Sequence, residues 1–147
     1  MDDPATVSGS QSRVVSQTDG MQQTIVYVDQ SRVREGRLEE LKAAFTELAT
    51  FVEENEPGIL TYDVYFDDSE SNVTVIHVHA GPDTLDQHFV VAGAQFAKFA
   101  DMLEMKSIDV YGSPSEAVIE RLSEKVQTLG AGTVTIHPMH AGFATKW

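Results

Sequence analysis

The chain contains no cysteine. That absence removes disulfides, thiolate metal ligands and cysteine nucleophiles together, and it fits a reducing interior. Long apolar runs are missing too. No stretch of about 18 hydrophobic residues occurs, so no membrane-spanning helix is expected. The N-terminus lacks a basic region followed by an apolar one, so no secretory signal is expected and the cytoplasm is the expected compartment. Positive charge is scarce: Lys plus Arg number 10 against 23 Asp plus Glu, for a formal net charge of −13. A field of that sign repels nucleic acid and anionic membranes. It suits either a salt-adapted surface, as halophiles carry, or an ordinary acidic cytosolic protein. The glycines spell no phosphate loop, and no Ser-His-Asp order stands out.

What is present suffices for one domain with a real core: 147 residues, 41% hydrophobic and 22% charged. Residues 1–20 are rich in Ser, Gln, Asp and Thr, with Val14-Val15 as the one valine pair to bury, and are expected to form a mobile arm. Gln22 to Asp29 is β-branched and aromatic at its centre and reads as a strand. Arg34 to Glu54 carries Leu38, Leu41, Phe45, Leu48 and Val52 on one helical stripe, and Pro57-Gly58 ends it. Ile59 to Phe66 is a second strand, with Leu60, Tyr62, Val64 and Phe66 on one face and Thr61, Asp63 and Tyr65 on the other. A polar hairpin, Asp67 to Asn72, leads into a third strand, Val73 to about Ala80, which Gly81-Pro82 stops. A helix follows with Leu85, Phe89, Ala92, Phe96, Phe99 and Leu103 as its stripe, capped either by Thr84 with Gln87 or by Gly81. Lys106 to Tyr111 is a fourth strand.

Strand–helix–strand thus occurs twice, joined by a hairpin. The expected fold is α+β: a ferredoxin-like βαββαβ unit over residues 21–112, with an antiparallel sheet and both helices on one face. Residues 113–147 extend the same domain. Ser113-Pro114-Ser115-Glu116 is a helix start with Ser113 as N-cap, and Val118, Leu122, Val126 and Leu129 form the stripe. Gly130 and Gly132 end that helix. Thr133 to His137 is a strand, and Pro138 marks it as a sheet edge. Strands two and three are apolar on both faces, so the face without helices needs cover. The economical cover is a second copy, sheet against sheet, in a two-fold dimer. The alternative is that the extension folds beneath that face in a monomer.

The order of elements, the segment EPGILTYDVYFD and the segment HVHAGPDTLDQHF carry a resemblance. From about Gln22 to Gly112 the chain resembles the antibiotic biosynthesis monooxygenase (ABM) domain family of the dimeric α+β barrel superfamily. That family typically has Pro-Gly and then an aromatic in strand two, matched by Pro57, Gly58 and Tyr62. It also typically has a histidine soon after helix two begins, matched by His88. Tyr111 to Trp147 goes beyond the minimal domain and looks like an extended subgroup. Many members carry an acidic residue and then an aromatic on strand three, where this chain has His77 and His79. The only tryptophan is Trp147, so the Asn–Trp–His set of the haem-degrading branch is not evident and no haem is expected. The resemblance implies a homodimer that binds a small aromatic or quinone-like molecule and oxygenates it without a cofactor.

The histidines are the candidate chemistry. His77 and His79 alternate onto one face of strand three, roughly 7 Å apart along it, and His88 lies at the margin of the apolar stripe. An imidazole can remove a proton near neutral pH. A phenol or hydroquinone, with a pKa of roughly 10 for a simple phenol, must lose one before it donates an electron to O₂. His79 and His88 are the base candidates and Tyr62 the orienting residue, with His77, Tyr65 and Phe89 as substrate-binding residues. The competing reading makes the three histidines hydrogen-bonded structural groups and leaves Phe89, Phe96 and Phe99 in the core. His137 and His140 read as plain tail residues. His77-x-His79 with Asp83 resembles part of a cupin metal motif, but a cupin needs many more strands and here a helix follows at once, so no metal is expected.

Overall fold

Two-residue alternation along the strands and a three-four apolar rhythm along the helices fold the chain into a sheet under a helical layer. The computed structural model describes residues 12–14 and 24–145. Of the expected arm over residues 1–20, only Ser12–Val14 falls among the described residues; Trp147 lies outside them. In chain order the elements are β1 (Ser12–Val14), β2 (Ile25–Val33), α1 (Leu38–Asn55), β3 (Ile59–Phe66), β4 (Asn72–His79), α2 (Pro82–Ala92), β5 (Leu103–Tyr111), α3 (Glu116–Leu129), β6 (Gly130–His137) and β7 (Phe143–Thr145). Five strands form one sheet in the order β3-β4-β2-β5-β6. Neighbours are antiparallel except β5 and β6, which are parallel. β4 lies between β2 and β3, and β2 between β4 and β5, which is the expected ferredoxin-like interleaving of two βαβ units. β1 pairs separately with β7.

The extension widens both layers. Parallel neighbours cannot be joined by a hairpin, so β5 reaches β6 through α3. α2 touches both α1 and α3, so the three helices share one side of the sheet. α3 starts two residues later than Ser113 would place it: Ser115 is the N-cap, and its Oγ accepts from Val118 N at 3.1 Å. The same hydroxyl donates to Asp86 Oδ1 of α2 at 2.7 Å, tying the two helices together. β6 begins at Gly130, not at Thr133. The two glycines lie inside the strand because a Cβ at either would come within 2.3 Å of a β5 carbonyl oxygen, Met105 O or Lys106 O. They accommodate the irregular step in register between Met105 and Ser107.

Gly81 caps α2, with Pro82 in its first turn. α2 stops at Ala92, and two 3₁₀ turns, Gly93–Gln95 and Ala97–Asp101, replace the long helix that the stripe suggested. A 3₁₀ turn repeats every three residues, so Phe96, Phe99 and Met102 still face inward. Leu103 becomes the first residue of β5.

The core lies between the layers. Leu41, Phe45, Leu48 and Val52, with Leu85, Phe89, Leu122, Val126 and Leu129, bury against Ile25, Val73, Val75, Ile108 and Val110. Each such side chain contributes about 1.5–3 kcal/mol. Among the described residues, the other side of the sheet carries no helix. Val26, Val28, Ile76 and Val78 lie half-buried there, with Tyr65 and Tyr111 54% and 45% exposed. α3 does not fold beneath this side.

Candidate active site

Strand register assembles the site. Tyr62 of β3, His77 of β4 and Tyr27 of β2 are direct cross-strand neighbours, so they form one row under the helices. Their rings stack, His77 on Tyr27 at 4.0 Å and on Tyr62 at 5.2 Å between centroids. His79 follows on the same face, its Nε2 2.6 Å from His77 Nδ1. From above, α2 lowers His88, whose ring centre is 4.7 Å from His77 and 6.0 Å from His79. Glu56, the residue that ends α1, turns inward, and both its carboxylate oxygens lie within 3.0 Å of His88 Nδ1. Glu56, His77, His79 and His88 are all 2% exposed or less.

This geometry fixes protons. A ring nitrogen facing a carboxylate must be the donor, so His88 Nδ1 carries hydrogen and Nε2 is a bare acceptor. Among the described residues, His88 Nε2 and His79 Nδ1 are buried without a protein partner. A buried polar atom left so costs about 1–3 kcal/mol, which marks a place where function and stability compete. Burial drives all three imidazoles toward their neutral forms. His77 is pushed well below the usual range, by burial and then by His88 and His79. His79 is pushed down to about 3, by burial and then His88. His88 is lowered by burial as well, but there the Glu56 carboxylate opposes the shift. It is therefore the imidazole with the strongest local support for accepting a proton.

A second polar group adjoins this one. Asp29 stands two residues beyond Tyr27 on the same face of β2, and the Tyr27 hydroxyl donates to its Oδ2 at 2.7 Å. Lys125, on the inward stripe of α3, donates to the Tyr27 oxygen at 2.6 Å and lies 3.6 Å from Asp29 Oδ2. Its ammonium also sits over the Phe96 ring, 4.1 Å from the centroid. Burial raises the Asp29 pKa and lowers that of Lys125, and in each case the other partner works against the shift. Burial, with Asp29 second, pushes the Tyr27 phenol up, and burial likewise pushes up Tyr62.

Three spaces surround the cluster. A groove of about 890 Å³ runs between α1 and the edge strand β3, with Glu56 and Tyr62 in its wall. A second groove, about 500 Å³, lies between the end of α2 and α3 and reaches Lys125. Between them is an internal cavity of about 20 Å³ that Tyr62 and Lys125 both line.

The structure brings together His77, His79, His88, Tyr62 and Phe89, the last packed edge-on to His88 at 5.8 Å. Tyr65 is not part of the cluster. It reaches the α1–β3 groove from the other side of β3, because odd and even positions of a strand face opposite ways. Among the described residues no three His, Asp or Glu side chains form a metal-binding group, and no helix is long and apolar enough to cross a membrane. His137 is more than a tail residue: it bonds Asp109 at 2.8 Å and stacks on Tyr111. Sequence reading missed Glu56, Tyr27, Asp29 and Lys125. Two had a signal. Asp29 and Tyr27 share the inward alternation of Ile25, and Lys125 is the lone cation between Leu122 and Val126 on an apolar stripe.

Comparison with known proteins rests on shape. No protein-family model and no curated protein matches the chain. Several solved structures share the fold. MupZ from Pseudomonas fluorescens is 16% identical, with 83% of this chain aligned to 94% of that one at a TM-score of 0.63. A candidate antibiotic biosynthesis monooxygenase from Caulobacter crescentus is 23% identical, covering 67% of this chain and 97% of its own at 0.57. SnoaB, a cofactor-independent oxygenase from Streptomyces nogalater, is 15% identical, covering 63% and 94% at 0.53. The chain therefore has the α+β fold of these proteins. The MupZ match takes in more residues than Gln22 to Gly112 can supply, so it extends into the arm or the α3–β6 extension.

Proposed function

We propose that this chain is an ABM-like, cofactor-independent monooxygenase that acts on a small aromatic or quinol-type compound and works as a homodimer. The observation that carries the reading is the Glu56–His88 pair: a carboxylate fixes the tautomer and presents a bare, buried Nε2. The same logic makes a carboxylate-oriented histidine a general base elsewhere. The α1–β3 groove is large enough for a fused aromatic system; none of the three histidines lines it, so Tyr62, which stands between, must turn aside before a substrate there reaches His88 Nε2. The oxygenases among the fold neighbours support the class, and the exposed apolar side of the sheet supports the dimer.

For a methylene held between aromatic rings, R₂CH₂, the steps balance without a cofactor. His88 Nε2 takes a proton and leaves the carbanion. The carbanion passes one electron to O₂, and the resulting radical and superoxide join as R₂CH–O–O⁻. That anion regains the proton and expels water, so R₂CH₂ + O₂ gives R₂C=O + H₂O. His79 holds His77 in place and offers Nδ1 to the substrate oxygen, while Tyr62 orients the ring. His79, lacking a carboxylate partner, is the weaker base.

The test is oxygen uptake with a panel of hydroquinones and anthrones. Wild type is expected to consume O₂, His88→Ala to lose most of the rate and His79→Ala to lose less. Uptake unchanged by both substitutions would remove the mechanism. A second reading, a non-catalytic dimeric small-ligand-binding or stress-response module on the same fold, draws on the near-complete burial of the histidines. Saturable binding of an anthrone without turnover would favour it.

A further inference from the structure

We infer that the internal cavity between Tyr62 and Lys125 is the dioxygen site, reached from the α2–α3 groove and therefore by a different route from the organic substrate. This rests on the oxygenase reading above. The cavity holds about 20 Å³, room for about one water or one diatomic molecule. Its wall is mostly hydrocarbon and ring, including Leu48, Val75, Phe96 and Phe99. The two charged groups that line it, Asp29 and Lys125, direct their polar atoms at each other and at Tyr27. A space so lined tends to stay dry and to accept small apolar guests.

The walls also define two doors. Tyr62 and Phe45 line both the cavity and the α1–β3 groove, while Lys125, Phe96 and Leu129 line both the cavity and the α2–α3 groove. A bulky aromatic occupying the first groove meets the cavity across Tyr62. Oxygen reaching it through the second groove passes Lys125. When the substrate carbanion gives its electron to O₂, negative charge appears on the oxygen beside a buried ammonium already fixed by Tyr27 and Phe96. A cation preorganised where charge develops stabilises that step without rearrangement. The C-terminal extension, absent from the minimal ferredoxin-like unit, thereby supplies the electrostatic half of the site.

Crystals of the full chain under xenon pressure give a readout independent of activity. Xenon is expected in this cavity; an ordered water there, with no xenon, overturns the inference. In parallel, the KM for O₂ is measured by oxygen uptake with an anthrone. Leu48→Phe, or the milder Val75→Ile should the first fold poorly, fills the space. Lys125→Met with Asp29→Asn removes the charge pair without leaving a lone carboxylate. Both kinds of variant are expected to raise the KM for O₂ about tenfold or more and to leave the KM for the anthrone unchanged. An unchanged KM for O₂ in an active, folded cavity-filling variant overturns the inference and leaves the oxygenase reading intact. No uptake by wild type overturns that reading instead, and the xenon result then decides the cavity alone.

Discussion

On the helix-covered side of the sheet, β3, β4 and β2 line up Tyr62, His77 and Tyr27. One residue along, on the bare side, the same three strands line up Asp63, Ile76 and Val28. The backbone is the same and the alternation strict, yet in this row three titratable rings lie where water is excluded, and two aliphatic side chains, with Asp63, lie where it is not. At this row, though not in the aliphatic core around it, the usual arrangement of polar outside and apolar inside is inverted. It makes sense when each side answers to something other than the chain's own core: the covered side to a reaction that needs a dry, fixed set of bases, the bare side to another surface. A slip of one residue in register would exchange the two.

The contrast can be broken from either side. The largest effect is expected from His88→Ala on the covered side, a loss of about 10²–10⁴-fold in oxygen uptake, the usual worth of a positioned general base. Glu56→Gln should approach it, because an amide can present its NH₂ to Nδ1 and so move the proton to Nε2. Stability is next. Lys125→Met alone leaves the Asp29 carboxylate buried without its counter-charge and should cost about 3–5 kcal/mol in urea unfolding, whereas the double change Lys125→Met/Asp29→Asn should recover most of that.

A third expectation concerns pH. The unfolded chain binds a proton at each histidine below about pH 6.5, whereas His79 in the fold resists one until about pH 3. Across that window the unfolded state holds the extra proton, so stability rises with pH and levels off above it. Asp29, whose pKa burial raises, works in the opposite sense. The difference between wild type and His79→Gln, measured by unfolding at pH 4.5 and 7, isolates the histidine; equal differences at the two pH values would mean that His79 is charged in the fold. On the bare side, Ile76→Lys should convert a dimer into a monomer by light-scattering mass while leaving the far-ultraviolet dichroism unchanged. The smallest effect is expected from His137→Ala at the edge of that side, about 0–1 kcal/mol, since its bond to Asp109 is partly open to solvent.

Much of this was legible in the sequence. Period-two and three-four patterns located the four strands and the helices of the ferredoxin-like unit, and the three histidines were placed near one another because one strand and the first turns of the next helix had to meet. What escaped depended on long-range register. Nothing local to Glu56 says that the residue capping the end of α1 will face α2, since a glutamate beside Pro57-Gly58 reads as solvated turn. Lys125 interrupts an apolar stripe, and only the parallel β5–α3–β6 connection sets that stripe over Asp29. The glycines of β6 read as a helix stop because their reason, a backbone passing too close to β5 for any Cβ, exists only in three dimensions.

The pairing of Lys125 with Asp29 has a consequence for where this domain ends. Cut after Gly112, the polypeptide would retain every element of the ferredoxin-like unit, yet a carboxylate would remain sealed in hydrocarbon with its counter-ion gone. The flank of α2 that now meets α3 would be laid open at the same time. The appended segment cannot be shed as a module, nor grafted onto a relative whose second strand lacks the matching acid. Strand topology and buried charge draw the boundary of this domain in different places.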